Sequence, residues 1–489
     1  MRAKALKRGI CMKIKEIVQT TPNFQVLSED EIERIYFDAL GIIESDGARV
    51  ENETALERFK KSEAVVTDTN LVRIPTVLVE SALRSHPRKI VLAGRNRERA
   101  VRLQKDELAF GTGPLYPVVP ISDPPKGGQA DYQSTYDAAR LADYLPNVDF
   151  MTGPLAIFSD GRGASNLSHA IAMLEGSDKP MLLRCSDKGE LHRLWQMGTL
   201  VCGGEAEFRL SPLFANYVEI DSPLVLSADA AEQLMFCAEK RIPCVCASRA
   251  MAGVSAPAAI AGMLVQTLAE TMLVSVLSYL AKPGMPLIRG GVTTTPSPDG
   301  YGYCYGAPEL PLSEAANTDV SKWLGLGMLF TAGVTDASEV CQDAGVDCAT
   351  SLFYAYLSGS DLIYGAGMMD GGKITSMDSM VICNEIIEMI KQIGRGINTD
   401  EEHLALDLIE RVGPGGEYLT QDHTYKYWQE WFRPHLINRA GYDSWVADGE
   451  KTIKDRAEAE RRKILADHRP RPMDPKLLDE LRALRPETV

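Results

Sequence analysis

What most constrains this chain is a rhythm: after Pro87, short apolar runs of strand length recur, each followed by a stretch of helical length. The runs occupy residues 108–112, 148–152, 181–185, 223–227, 243–247, 286–289, 327–331 and 361–365. Helical segments such as 134–144, 228–240, 258–280, 346–357 and 378–393 fill the intervals. Eight such units close most economically into an α/β (β/α)8 TIM barrel, with a doubly wound open sheet as the alternative. Ser28 opens an amphipathic helical stretch, and a second follows the turn at Gly47, which predicts a helical cap ahead of the barrel. The expected divisions are an N-terminal extension and cap (1–88), the barrel (89–395) and a C-terminal tail (396–489) that wraps it and carries a charged helix at 449–467. Met12 is a second plausible start, so the first residues carry no structural weight.

Composition removes several function classes. Lys and Arg number 52 against 67 Asp and Glu, a net charge of −15 without a long basic run, which argues against a nucleic-acid surface. The most apolar stretch, 254–288, is broken by Gln266, Glu270 and Lys282, so it reads as a buried helix and strand, with no membrane span expected. The basic start lacks an apolar signal-peptide core, and the ten cysteines form no paired CxxC motifs, which together predict a cytoplasmic protein. Cys244 and Cys246 share one face of a strand, where they could pair on a metal but read first as small core residues; no metal site is expected. GxSxG, HExxH, P-loop and strand-linked GxGxxG motifs are missing, which removes support for serine hydrolase, zincin, NTPase and dinucleotide readings.

In a barrel, the chemistry sits where the strands end and the βα loops converge. The most unusual loop follows the sixth run: residues 290–308 read GGVTTTPSPDGYGYCYGAP and carry Tyr301, Tyr303 and Tyr305 just before Glu309. Glycine turns alone would explain a surface loop. The alternative is an aromatic wall, with Tyr364 adding a face, because tyrosine rings hold quaternary ammonium groups through cation–π attraction of about 0.5–2 kcal/mol per ring. Glu309, Asp336 and Asp370 follow or separate the last strands and would make the mouth negative, or else complement helix N-termini. Arg249 and Arg289 close the fifth and sixth runs, where either guanidinium could fork onto a carboxylate or pair with one of those acids. Lys282 and Lys322 fall outside strand ends, which weakens a Schiff-base lyase reading.

Several segments together resemble the MttB-like (trimethylamine methyltransferase type) corrinoid protein methyltransferases. They are Phe110-Gly-Thr-Gly, Gly253-Val-Ser-Ala-Pro-Ala through Gln266 and Glu270 to Gly284-Met-Pro, Gly306-Ala-Pro-Glu, Gly333-Val-Thr-Asp-Ala, Asp361-Leu-Ile-Tyr-Gly-Ala-Gly, and Gly413-Pro-Gly-Gly-Glu-Tyr-Leu with His423-Thr. The resemblance implies a TIM barrel that presents a methylated amine to the cob(I)alamin of a separate corrinoid protein. The cobalamin then arrives with that partner, in keeping with the lack of a DxHxxG cobalt-ligand motif here. Trimethylamine enzymes of the family carry pyrrolysine, whereas this chain has only standard residues, so the resemblance implies the non-pyrrolysine, quaternary-amine branch. A quaternary nitrogen already bears full charge and leaves as a neutral amine without a proton donor, whereas a tertiary amine must first be activated. Glycine betaine is the favoured substrate, with proline betaine, carnitine and γ-butyrobetaine as relatives. No side chain is expected to act as nucleophile or general acid, and His423 is expected to hold the C-terminal wrap. A homo-oligomer is expected. Trimethylamine turnover, and a cytosolic quaternary-amine sensor without turnover, are the competing readings.

Overall fold

The computed structural model describes residues 24–104, 107–114, 131–154, 166–300 and 302–485. Eight parallel strands run in one sheet: β1 (Ala109–Thr112), β2 (Met151–Thr152), β3 (Met181–Arg184), β4 (Phe214–Ile220), β5 (Cys244–Met251), β6 (Leu287–Thr294), β7 (Gly327–Thr331) and β8 (Leu362–Ala366). Each pairs with its chain neighbour, and β8 pairs with β1. A bridge between Gly111 and Phe150 joins β1 to the start of β2 and closes the barrel. Glycine is required there, because a Cβ at residue 111 would lie 2.4 Å from the Phe150 ring.

A helix follows every strand: α1 (Tyr132–Tyr144), α2 (Asn166–Gly176), α3 (Lys188–Cys202), α4 (Ala228–Lys240), α5 (Ile260–Ala281), α6 (Glu309–Leu324), α7 (Gln342–Ser358) and α8 (Met377–Ile393). Alternation along the strands turns Leu182, Ala215, Val245, Ile288, Leu329 and Leu362 into one interior cluster. The hairpin Ile90–Ala93/Ala100–Leu103 adds Ile90, Leu92, Val101 and Leu103 to that cluster, with Leu103 against Gly327 at the start of β7. The N-terminal end of the barrel is thereby plugged with apolar side chains, which leaves the C-terminal end as the mouth.

The sequence-based strand at 223–227 is corrected: β4 is Phe214–Ile220, and Val225–Leu226 pairs with Ala48–Val50 in a small four-stranded sheet beside the cap. Strands β5 and β6 also run on to Met251 and Thr294, so neither Arg249 nor Arg289 ends a strand. The cap contains helices Glu29–Ser45, Glu53–Lys60 and Thr76–Ser85. The first of them begins with a capping box between Ser28 and Glu31. Among the described residues only α5 is long and apolar enough to cross a membrane, and it is mostly buried against the cap and the barrel wall.

The chain packs as two units, Met389–Arg433 and the remainder of the described residues. Within Met389–Arg433, the His423 ring stands 4.5 Å from the Tyr427 ring and its Nε2 is 3.1 Å from the Glu402 carbonyl oxygen. After Pro434 the chain belongs to the barrel unit. The backbone N–H groups of His435, Leu436 and Ile437 donate to the Glu385 carboxylate at 2.8, 2.7 and 2.8 Å. The helix Ile453–Asp467 is tied to α8 by Arg461 and Asp378 at 2.6 Å, and to α1 by Arg140, which donates to the carbonyls of Leu465 and His468.

Candidate active site at the barrel mouth

The same alternation that builds the core carries chemistry to the mouth. On β4, Ala215, Tyr217 and Glu219 point one way at period two, and the first two lie in the interior cluster. Above Val245 and Ala247 on β5 the next inward position is Arg249, and above Leu182 on β3 it is Arg184. The result is a three-residue charge cluster: Glu219 Oε2 lies 2.7 Å from Arg184 Nη2 and 3.3 Å from Arg249 Nη1. Burial acts against the Arg249 charge, but Glu219 and Tyr303 outweigh it and raise its pKa.

Tyrosines surround this cluster. Tyr217 and Tyr364 are both 3% exposed, with ring centroids 6.4 Å apart, and burial pushes both phenols up. Tyr303 lies with its ring centroid 5.8 Å from the Arg249 guanidinium carbon and 6.2 Å from the Tyr305 ring. Tyr305 is buried with Val292, Leu310, Val334 and Met368. Four aromatic rings and one carboxylate flanked by two guanidiniums therefore meet at one end of the barrel, an arrangement with surfaces for a cation and for an anion.

The other sequence-based candidates take different places. Tyr301 lies outside the described residues. Asp336 accepts from the backbone N–H groups of Tyr305 at 2.9 Å and Gly306 at 2.8 Å, and from the Cys304 thiol at 3.1 Å. It braces the tyrosine loop, and burial together with this carboxylate pushes the Cys304 thiol up to about 11. Asp370 accepts from Ser338 Oγ, and Glu309 sits in the first turn of α6. The acid within the charge cluster is instead Glu219, which the displaced fourth strand had hidden.

Arg289 does not reach the mouth. Because Ile288 faces the interior, Arg289 faces outward, 3% exposed, and donates to Thr271 Oγ1, Ser321 Oγ and the Asn317 side chain and carbonyl. Burial lowers its pKa to about 10. It shares a small cavity behind β5 and β6 with Glu314, whose Oε1 accepts from Thr293 while Oε2 has no partner. Burial pushes the Glu314 carboxyl up to about 8. Glu270, which burial also raises, accepts from Ser222 Oγ, the Leu224 N–H and Gln266, and so fixes the β4–α4 turn beside the mouth.

The family model for trimethylamine methyltransferase (MTTB) matches residues 1–486. The chain belongs to this family. The trimethylamine methyltransferase MttB of Desulfitobacterium hafniense DCB-2 is 29% identical over 470 residues, covering 94% of this chain and 93% of its own. The glycine betaine methyltransferase of D. hafniense Y51 is 28% identical over 468 residues, covering 95% and 97%. Among solved structures, the monomethylamine methyltransferase MtmB of Methanosarcina barkeri superposes with a TM-score of 0.50 at 12% identity, covering 91% of this chain and 89% of its own. That likeness concerns the fold. The chain is accordingly a methyltransferase with a (β/α)8 barrel.

Proposed function

We propose that this MttB-family enzyme transfers a methyl group from a quaternary amine carrying a carboxylate, glycine betaine foremost, to the Co(I) corrinoid of a separate protein. The observation that carries the reading is the pairing of tyrosine faces with the half-exposed Arg249 guanidinium at one barrel mouth. A trimethylammonium group has no N–H to donate, so π faces suit it better than hydrogen-bond acceptors do. A carboxylate on the same molecule needs a donor, and Arg249 offers one beside Tyr303.

The corrinoid is the second substrate. In the transfer one N–CH3 bond breaks as a Co–CH3 bond forms. The electron pair of the broken bond stays on nitrogen, which leaves as a neutral tertiary amine, and no proton moves. The protein's part is to hold the ammonium with one methyl directed out of the mouth and to keep the carboxylate turned away from the incoming metal. Positioning of this kind accounts for most of the rate.

The test is a panel of N-methyl-labelled amines incubated with the enzyme and a Co(I) corrinoid, with the demethylated product followed by NMR. Glycine betaine should give dimethylglycine, whereas turnover of trimethylamine alone would overturn the reading.

A further inference from the structure

The two arginines that share Glu219 hold it unequally. Arg184 makes the shorter contact, 2.7 Å, with both side chains largely buried, at 21% and 16% exposure. Arg249 makes the longer one, 3.3 Å, and its side chain is 48% exposed. The backbone of residue 249 is pinned, since its N–H donates to Ser222 Oγ at 3.2 Å and its carbonyl accepts from Ser255 Oγ at 2.8 Å. Only the side chain is therefore free to change partner, and Tyr303 lies beside it as a platform that such a swing would keep.

We propose that Glu219 is a specificity-determining residue that stands in for the substrate carboxylate. It holds Arg249 until a carboxylate-bearing amine enters and then yields that guanidinium, while Arg184 keeps Glu219 itself. Flanked by two guanidiniums, Glu219 is a poor direct seat for an ammonium group, which goes to the tyrosine faces instead. The exchange makes Glu219 a competitor of the substrate carboxylate and, at the same time, an anion that moderates positive charge near the ammonium. Its removal should then act with opposite sign on two ligand classes. A betaine gains a freed guanidinium, whereas a bare quaternary cation meets an uncompensated positive charge. This inference rests on the reading of the mouth as a betaine site.

The experiment is calorimetric titration of the full-length protein and its Glu219→Gln variant with glycine betaine and with choline, alongside the methyl-transfer assay. Glu219→Gln should bind glycine betaine about five-fold more tightly, the size expected for releasing one half-exposed ion pair, and choline more weakly. The gain should vanish in Glu219→Gln/Arg249→Ala. Should Glu219→Gln fail to fold, Glu219→Asp, which withdraws the carboxylate from Arg249 by one methylene but keeps its charge, should still tighten glycine betaine while leaving choline nearly unchanged. Weakening of both ligands together would show that Glu219 seats the ammonium directly and would overturn the proposal, as would wild-type protein that binds neither ligand. If betaine is turned over but the variant binds it more weakly, the inference falls and the functional reading stands. If the variant tightens betaine yet no methyl transfer occurs, the functional reading falls and the inference stands.

Discussion

The guanidinium of Arg249 lies 5.8 Å from the centroid of the Tyr303 ring, which joins β5 to the tyrosine loop after β6 across the barrel mouth. The contact exists because β5 continues to Met251 and carries Arg249 above Ala247 on the inward face. A cation and an aromatic ring at this spacing attract each other by about 0.5–2 kcal/mol, according to how far water is excluded.

Arg249 and Arg289 should respond differently to truncation. Arg249→Ala should weaken glycine betaine binding by about 10- to 150-fold, the worth of a charge-assisted pair of roughly 1.5–3 kcal/mol, and leave the urea midpoint nearly unchanged. Arg289→Ala should instead lower stability by more than about 2 kcal/mol, because it strips donors from Asn317, Thr271 and Ser321 inside the wall. Titration and urea unfolding of both variants separate the roles. A betaine-specific defect in a stable Arg289→Ala protein would contradict its placement.

Asp336→Asn should loosen the tyrosine loop. One carboxylate oxygen becomes an amide NH2, which cannot accept from the N–H of Tyr305 or of Gly306, whichever it faces. A cost of about 1–3 kcal/mol is expected for the donor left unpaired, seen as a lower melting temperature. Affinity for choline and for betaine should fall together, because the loop presents Tyr303 to both. Loss of betaine binding alone would mean that Asp336 acts on the carboxylate end.

Glu314 should give stability a pH dependence. Its carboxyl is held neutral up to about pH 8 in the folded protein, against an ordinary value of 4.5, so the folded state keeps a proton that the unfolded chain has released. The wild-type protein should therefore lose stability relative to Glu314→Gln as pH rises from about 4.5 to about 8, with the difference level on either side. Urea unfolding of both proteins from pH 4 to 9 reads it. A difference that grows in the opposite direction would contradict a neutral buried acid.

Much of the barrel was legible because it is local. An apolar run bounded by turn residues marks a strand wherever it ends up, and helices such as Ala228–Lys240 follow from spacing alone. Strand β4 was the exception. The apolar run after Pro223 lies just before α4, where a barrel strand is expected, yet Val225–Leu226 pairs with the cap. That exchange of pairing partners is a tertiary fact. The displaced strand put Tyr217 and Glu219 in an apparent loop, although their spacing with Ala215 at period two is a readable strand signal. Arg184 lies in the run 181–185, but its partner Glu219 falls outside every run, so nothing in the sequence signals that the two meet. Arg289 differs from Arg249 in facing and in height, since it pairs with Cys246, while Arg249 pairs with Val292 further along β6. With Ile288 inside, Arg289 must point to the helices, and a strand's absolute facing is set by its neighbours. The acids were assigned by proximity to strand ends, and the fold used Asp336 on backbone N–H groups instead.

The central claim is tested most directly by the visible spectrum of a Co(I) corrinoid mixed with this enzyme and an amine. With glycine betaine the Co(I) band should give way to that of methyl-Co(III), at a rate that rises with enzyme concentration, while trimethylamine leaves the spectrum unchanged. No spectral change with glycine betaine, proline betaine, carnitine or γ-butyrobetaine at millimolar concentration, or conversion driven by trimethylamine alone, would contradict it.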